Sequence, residues 1–214
     1  MQLDIFNDIN SKMSIESKVS VVNNCDKVDR VKGLKYISEF ISCKEEQDLL
    51  FAINSESWLK DLKRRVQHYG WKYDYKVRAI DYSMYLGELP IWIKPFAEKL
   101  YKLGLTSKEP DQIIINEYLP GQGIANHVDC EPCFGDTIIS ISLNSSAIMD
   151  FINLKSKEKV EVLLEPRSLV VISGESRHLW SHGIPARKAD LIGGYKVDRS
   201  LRISLTFRNV IFNT

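Results

Sequence analysis

The chain lacks any run of apolar residues long enough to span a bilayer. Its N-terminus, Met1-Gln-Leu-Asp-Ile-Phe-Asn-Asp8, also lacks the basic and apolar regions of a secretory leader. No membrane partner is expected, and a cytoplasmic setting follows, or a nuclear one in a eukaryote. An excess of one charge sign is missing too: 29 Lys and Arg face 28 Asp and Glu, a net charge of +1. That excludes the global basic footprint of a high-affinity duplex binder. A nucleic acid would have to be met by a local patch or as a single extruded nucleotide. Cysteine is sparse, with 4 in 214 residues, too few to read as a disulfide framework in a chain of this length. No internal repeat and no low-complexity linker divides the sequence, and 44% hydrophobic residues suffice for one sizeable core. We therefore expect a monomer with a polar, Asn/Ser/Asp-rich extension over 1–30 and one domain over 31–214.

What is present falls into two patterns. In the first half, Ser42 followed by Glu45 is a capping box, and Leu49, Leu50 and Ile53 continue at helical spacing, so a helix is predicted over about 43–54. Ile93, Phe96, Leu100 and Leu103 predict a second helix, with Pro95 in its first turn or kinking it. Between them, alternating Trp71, Tyr73 and Tyr75 predict a strand or hairpin. From Asp111 onward come short β-rich runs: 112–118, 137–143, 147–151, 160–164, 168–173 and 202–210. Turn signals such as Pro120-Gly121, Asn144-Ser-Ser146 and Gly193-Gly194 separate them. Many short strands at regular spacing imply a mainly β fold, a jelly roll with helices packed outside it.

The chemistry concentrates in His127-x-Asp129 and a distant His182. Two imidazoles and a carboxylate on one face of a metal leave the opposite face open, the ligand set of non-haem Fe(II) oxygenases. On a strand, residues i and i+2 share a face, so His127 and Asp129 could reach one ion. By itself the tripeptide also fits a simple His–Asp hydrogen bond. The flanking sequence adds Asn116-Glu-Tyr118-Leu-Pro-Gly121 before it, Gly174-Glu-Ser-Arg177 and His182-Gly-Ile184 behind it, and Arg202-Ile-Ser-Leu-Thr-Phe-Arg208 near the end. In the last segment the apolar Ile203, Leu205 and Phe207 alternate with Arg202, Ser204, Thr206 and Arg208. One face should be core and the other should line a cavity. A buried dicarboxylate needs a cation, and arginine offers a permanently charged planar fork.

These ordered motifs resemble the AlkB-type Fe(II)- and 2-oxoglutarate-dependent dioxygenases, from about Arg64 to Val210 and more loosely from Tyr36. Within that family, Arg64-Arg-Val-Gln-His-Tyr-Gly70 and Gly174-Glu-Ser-Arg-His-Leu-Trp-Ser-His182 are similar to the oxygenase domain of the tRNA-modifying AlkB homologue of animals. The resemblance implies a double-stranded β-helix with N-terminal helices and a substrate-lid hairpin. It assigns Fe(II) to His127, Asp129 and His182. It assigns 2-oxoglutarate to Asn116, Tyr118, Arg202, Ser204 and Arg208, with O2 as second co-substrate. Ser204 departs from the asparagine common in DNA-repair members, and a hydroxyl reaches less far than a carboxamide. The implied activity is oxidative demethylation of alkylated bases in single-stranded or flipped-out nucleic acid, releasing formaldehyde, succinate and CO2. Hydroxylation of a modified tRNA uridine, oxidation of a protein side chain, and a non-enzymatic jelly-roll binding module are the alternatives.

The basic and aromatic residues of 60–78 resemble the family's lid. Arg65, Tyr69, Trp71 and Tyr73, with Glu131 past the ligands, are the candidate substrate contacts. His178 competes with His182 as third ligand, and the His-Gly-Ile match favours His182. His68 reads as a polar residue of the hairpin. Cys130-x-x-Cys133 reads as reduced thiols beside the metal, with a structural zinc site as the rival reading.

Overall fold

A computed structural model describes residues 24–60 and 62–212; the rest of the expected polar extension, 1–23, lies outside the described residues. The described part of that extension is not loose. Helix α1 (Cys25–Asp29) follows Asn24, which is buried. The Asn24 carboxamide donates to the Leu163 carbonyl at 2.7 Å and accepts from the Leu163 amide at 3.2 Å. The docked unit thus begins before residue 31.

Next come β1 (Leu34–Ile37), α2 (Cys43–Ser55), β2 (Val66–Tyr69), a 3-10 turn (Tyr82–Met84) and α3 (Lys94–Lys102). The capping box of α2 is complete: Ser42 Oγ accepts from the Glu45 amide at 3.1 Å, and Glu45 Oε2 from the Ser42 amide at 2.7 Å. Pro95 sits in the first turn of α3, where a missing N–H costs nothing. The strand-rich half supplies β3 (Gln112–Tyr118), β4 (Ile124–His127), β5 (Thr137–Asn144), β6 (Ala147–Asn153), β7 (Lys159–Leu164) and β8 (Leu169–Ser173). A single helical turn, α4 (Glu175–His178), leads into β9 (Trp180–Ile184), the hairpin β10 (Ala189–Ile192) and β11 (Tyr195–Asp198), and finally β12 (Arg202–Arg208).

Ten of these strands form two packed antiparallel sheets, and β10 and β11 pair only with each other. The larger has the order β1-β8-β5-β12-β3-β2 and the smaller β4-β9-β6-β7, giving the jelly roll expected. Alternation divides the larger sheet between two cores. Ile113, Ile115, Ile139, Ile141, Ile203, Leu205 and Phe207 meet Leu49 and Ile53 of α2 and Ala97 and Leu100 of α3. Tyr118, Ile138, Val170 and Ile172 turn inward to Phe151, Val160 and Val162 of the smaller sheet. Both faces are covered, so every residue of β3 is buried, Asn116 and Glu117 included.

Three expectations change. The segment from Trp71 to Tyr75 folds back as an irregular hairpin, not as a strand: regular pairing stops at Tyr69, and isolated antiparallel bridges follow, Trp71 with Tyr85 and Asp74 with Ala79. Aromatic side chains packing on one another replace ladder pairing there, with Tyr73 against Tyr75 and Trp71 against Tyr85 and Phe212. Asp129 is not in the strand that carries His127, because β4 ends at His127 after a register shift. Cys130 and Cys133 are paired with each other as a disulfide, neither free thiols nor two corners of a zinc site.

Candidate metal centre and co-substrate cleft

His127 and His182 are directly opposed partners on β4 and β9. Gly183 permits that close pairing, since a side chain at 183 would strike the backbone of Ile124 and Asn126. Asp129 enters from the turn after β4, and the three side chains bring one ligand atom each to within 4.8 Å of one another. The rings of His127 and His182 lie 4.6 Å apart, and His182 Nε2 is 3.3 Å from Asp129 Oδ2. His127 Nδ1 sits 2.9 Å from the Ala125 carbonyl. Nδ1 must carry the proton to bond there, which leaves Nε2 as the electron-pair donor. Burial, then neighbouring His182, push the His127 pKa down to about 4, so the ring is a neutral donor at neutral pH. Burial alone would raise Asp129, but Arg208 and the two imidazoles hold it well below the ordinary carboxylate range.

Two buried arginines frame this ligand set. Arg208 grips Asp129 Oδ1 through Nε at 2.8 Å and Nη2 at 2.7 Å, so Oδ2 alone turns to the histidines. Oδ2 has no hydrogen-bond partner although it is buried. An unpaired carboxylate oxygen between two imidazoles is costly without a cation, and a divalent metal is what this donor set accommodates. The second arginine, Arg177, is 1% exposed and finds no carboxylate within ion-pair distance among the described residues. Its guanidinium donates instead to three carbonyls of the ligand loop: Asp129 at 3.0 Å, Gly135 at 3.4 Å and Phe134 at 3.5 Å. Burial pushes its pKa down, partly offset by Asp129. Arg177 therefore fixes the backbone from which Asp129 projects. It belongs to the Gly-Glu-Ser-Arg motif, yet its role was not readable there, because its acceptors are main-chain atoms distant in sequence.

The co-substrate candidates converge on the inward face of the larger sheet. Register sets Ser204 between Asn116 and Ser142, and Arg202 between Tyr118 and Asn144. Arg202 is 2% exposed and donates from Nη2 to Ser142 Oγ at 2.7 Å, while its buried Nε and Nη1 have no partner. Burial pulls its pKa down to about 10, so it remains a cation. The Tyr118 ring lies beside it, 5.5 Å from the guanidinium carbon. Two orphaned N–H groups on a buried, planar fork fit an incoming carboxylate.

The lid residues separate. Tyr73 and Tyr75 line a narrow cavity of about 60 Å3 together with Asn116, His127, Asp129 and Arg208. The buried Tyr75 hydroxyl has no partner, and burial raises its pKa. Arg64 lines the same cavity and donates to Asn116 Oδ1 at 2.7 Å. Arg65, the arginine expected there, faces elsewhere: it pairs with Glu117 and stacks on Trp58. Both arginines precede β2 in irregular backbone, and a run of two arginines does not say which one turns inward. Tyr69 likewise leaves the cavity for Gln67 and the Trp92 ring, and Trp71 joins Tyr82, Tyr85 and Phe212. Glu131 is on the outer rim, bonded to His178 Nδ1 at 2.9 Å, which removes His178 from the ligand set. His68 accepts from the Tyr73 amide at 3.3 Å and packs on the Tyr75 ring.

Comparison with known proteins agrees with this geometry. Residues 34–208 match the 2OG-Fe(II) oxygenase superfamily. The chain is 36% identical over 182 residues to the uncharacterized protein L905 of Acanthamoeba polyphaga mimivirus, covering 85% of this chain and 86% of that one. It is 35% identical to the alkylated DNA repair protein ALKBH8 homolog of Arabidopsis thaliana, covering 88% of this chain and 63% of the relative. It is 39% identical to the mouse tRNA (carboxymethyluridine(34)-5-O)-methyltransferase ALKBH8, covering 83% of this chain but only 30% of that protein. The structure of OsALKBH1 superposes with a TM-score of 0.63 at 16% identity, over 83% of this chain and 96% of that one, a likeness of fold. This chain belongs to the AlkB-like branch of the 2OG-Fe(II) oxygenases, enzymes that use Fe(II), 2-oxoglutarate and O2.

Proposed function

We propose that this enzyme oxidises an alkyl substituent on a nucleobase, and that its first substrate class is a modified uridine in tRNA. The observation that carries the co-substrate half is Arg202, a buried cation with two unpartnered N–H groups. It receives the distal carboxylate of 2-oxoglutarate, with Ser142 steadying the guanidinium. Asn116, Tyr118, Ser204 and Arg208 complete the cleft. His127, Asp129 and His182 would hold Fe(II), which would supply activation of O2 coupled to decarboxylation of the co-substrate. The protein's own work is positional. Ala125 orients the His127 ring, Arg208 presents one oxygen of Asp129, and Tyr73 and Tyr75 roof the cavity against water. A base must leave its stack to reach this depth.

Arg64 favours the uridine reading. It is a guanidinium on the cavity wall with no carboxylate paired to it among the described residues. Adenine methylated at N1 and cytosine methylated at N3 are cationic and are repelled by it, whereas the two carbonyls of a uracil ring are acceptors. The relatives named for a tRNA uridine cover 83% of the chain at 38–39% identity. Oxidative N-demethylation is the second reading. It is favoured by 38% identity to the AlkB dioxygenase of Salmonella typhimurium over 49% of the chain, and by the acidic Glu131 at the rim.

One assay separates the readings: succinate and formaldehyde release with methylated single-stranded DNA, methylated RNA and bulk tRNA. Succinate with tRNA and no formaldehyde supports uridine hydroxylation. Formaldehyde from methylated oligonucleotides selects demethylation. Absence of Fe(II)-dependent 2-oxoglutarate binding under anaerobic conditions sinks both.

A further inference from the structure

Cys130 and Cys133 take no part in the chemistry above, yet they begin one residue past an iron ligand. Their Cα atoms are 5.3 Å apart and the sulfurs are bonded. The turn that sets this distance does not depend on the bond: the Cys130 carbonyl accepts from the amides of Cys133 at 3.2 Å and Phe134 at 3.0 Å. Both sulfurs face one atom of the lid, the carbonyl oxygen of Arg78, at 3.2 Å and 3.4 Å. The other end of Arg78 reaches back, donating from Nη2 to the Val128 carbonyl at 3.1 Å, between His127 and Asp129. Arg78 stands at φ 53, an uncommon backbone for a residue other than glycine, in the turn closed by the Asp74 amide on the Ala79 carbonyl. Arg78 thus meets the ligand loop at two points, one a hydrogen bond to Val128 and the other a close approach of its carbonyl to the sulfur pair.

We propose that Cys130 and Cys133 are a reversible dithiol–disulfide site that latches the lid when reduced and releases it when oxidised. In the dithiol each S–H can donate to the Arg78 carbonyl. In the disulfide neither sulfur carries a hydrogen, so that carbonyl loses both donors while the Arg78–Val128 contact remains. The oxidant class is a peroxide. One thiol sulfur attacks a peroxide oxygen, forming a sulfenic acid and releasing water. The second thiol sulfur then attacks the first, the S–S bond forms, and a second water leaves. Two thiols and one hydrogen peroxide become one disulfide and two waters. A small dithiol reverses it by two exchanges through a mixed disulfide. Access is from the rim: Cys130 lines both the narrow cavity at the ligands and an outer cleft of about 380 Å3 bounded by Arg78, Glu131 and Pro132.

The test is amide hydrogen exchange across 72–80 in the metal-free full chain, dithiol-reduced against peroxide-oxidised, with intact mass reporting the loss of two hydrogens. Metal-free protein keeps iron oxidation out, and no substrate is needed, so the result is independent of the substrate reading. Exchange at Asp74 should rise roughly fivefold on oxidation, the order two weak S–H contacts supply. The C130S/C133S variant keeps two donors and cannot close a disulfide, so it should exchange slowly with or without peroxide. The C130A/C133A variant has no donors and should exchange fast in both. Equal exchange in fully reduced and fully oxidised wild-type protein overturns the proposal, and that comparison stands even if the alanine variant fails to fold. Alkylation located by peptide mass at Cys130 and Cys133 after peroxide, rather than at the exposed Cys25 and Cys43 alone, or a tightly retained zinc protecting that pair, overturns it as well.

Discussion

Arg202 and Arg208 stand at the two ends of β12 on the same face, and both are buried. Arg208 spends its donors on Asp129 and Gln112. Arg202 has one hydroxyl partner and two N–H groups left over. A buried cation is retained against its desolvation cost only where something compensates it. For Arg208 the compensation is part of the fold. For Arg202 it has to arrive from outside, and that difference is why we propose Arg202, and not Arg208, as the residue that receives a ligand.

The largest effects test the metal end. His182→Ala should abolish succinate release and lower Mn(II) affinity beyond detection, while thermal unfolding of the metal-free protein stays nearly unchanged. Asp129→Ala should abolish turnover too, but it also strands Arg208 without a counter-charge. Urea unfolding of metal-free Asp129→Ala should therefore lose about 3–5 kcal/mol, the cost of breaking a buried pair from one side. Equal stability of the two alanine variants would mean that the Asp129–Arg208 pair does not hold the loop.

The two arginines should then part company. Arg202→Met removes a buried cation that the empty protein does not pair, so stability should be unchanged or raised by about 1 kcal/mol. Its 2-oxoglutarate KM should rise about a hundredfold or more, as expected when one side of a buried charge pair is removed. Arg208→Met should lose about 3 kcal/mol in the metal-free state. If Arg202→Met lost stability and kept its co-substrate KM, the roles would be reversed.

The same contrast explains what the sequence disclosed. His127, Asp129 and His182 were legible as a ligand set because each lies in a short motif, and the three come together; Asn116, Tyr118, Arg202 and Arg208 were singled out by motifs on β3 and β12, whose alternation sets them on one face. The helix over 43–54 was legible from Ser42, Glu45 and the spacing of Leu49 and Ile53, and it spans Cys43–Ser55. Asp129 was legible as a ligand but not as a loop residue, since it follows the end of β4 and is held there by Arg177 of α4 and Arg208 of β12. Arg64 and Arg65 lie just before β2, so no strand alternation told them apart. The short strands β1, β9 and the β10–β11 pair carry too few alternating residues to announce themselves. The hairpin's only signal was Gly193-Gly194, and its anchor is the buried Asp190 bound by Arg187 and Arg199.

Arg177 sharpens the comparison from a third side, being a buried guanidinium compensated by backbone alone. Arg177→Met frees the carbonyls of Asp129, Phe134 and Gly135. Removing such an outer support usually costs 10–100-fold in metal affinity, and we expect about that loss in a Mn(II) titration. Arg177→Lys should recover part of it, because an ammonium keeps the charge but cannot span three acceptors. A purely structural role predicts lower stability with unchanged metal affinity.

The smallest effect belongs to His127. Burial and the neighbouring His182 push its pKa down from the ordinary imidazole value of 6.5 to about 4. Between those values the unfolded chain binds a proton that the native ring refuses, so the unfolded state gains as pH falls. The contribution to stability is complete above about pH 6.5 and is lost progressively toward pH 4. Solvent softens it, because His127 is only half-buried. Urea midpoints of metal-free protein at pH 7.5 and pH 5 should fall in that order, and His127→Gln, which cannot titrate, should narrow the gap. An unchanged gap would overturn the assignment to His127. The Asp129–Arg208 pair does not account for it, because Asp129 is held well below the ordinary carboxylate range and its stabilisation is lost only as pH falls through that range and beyond.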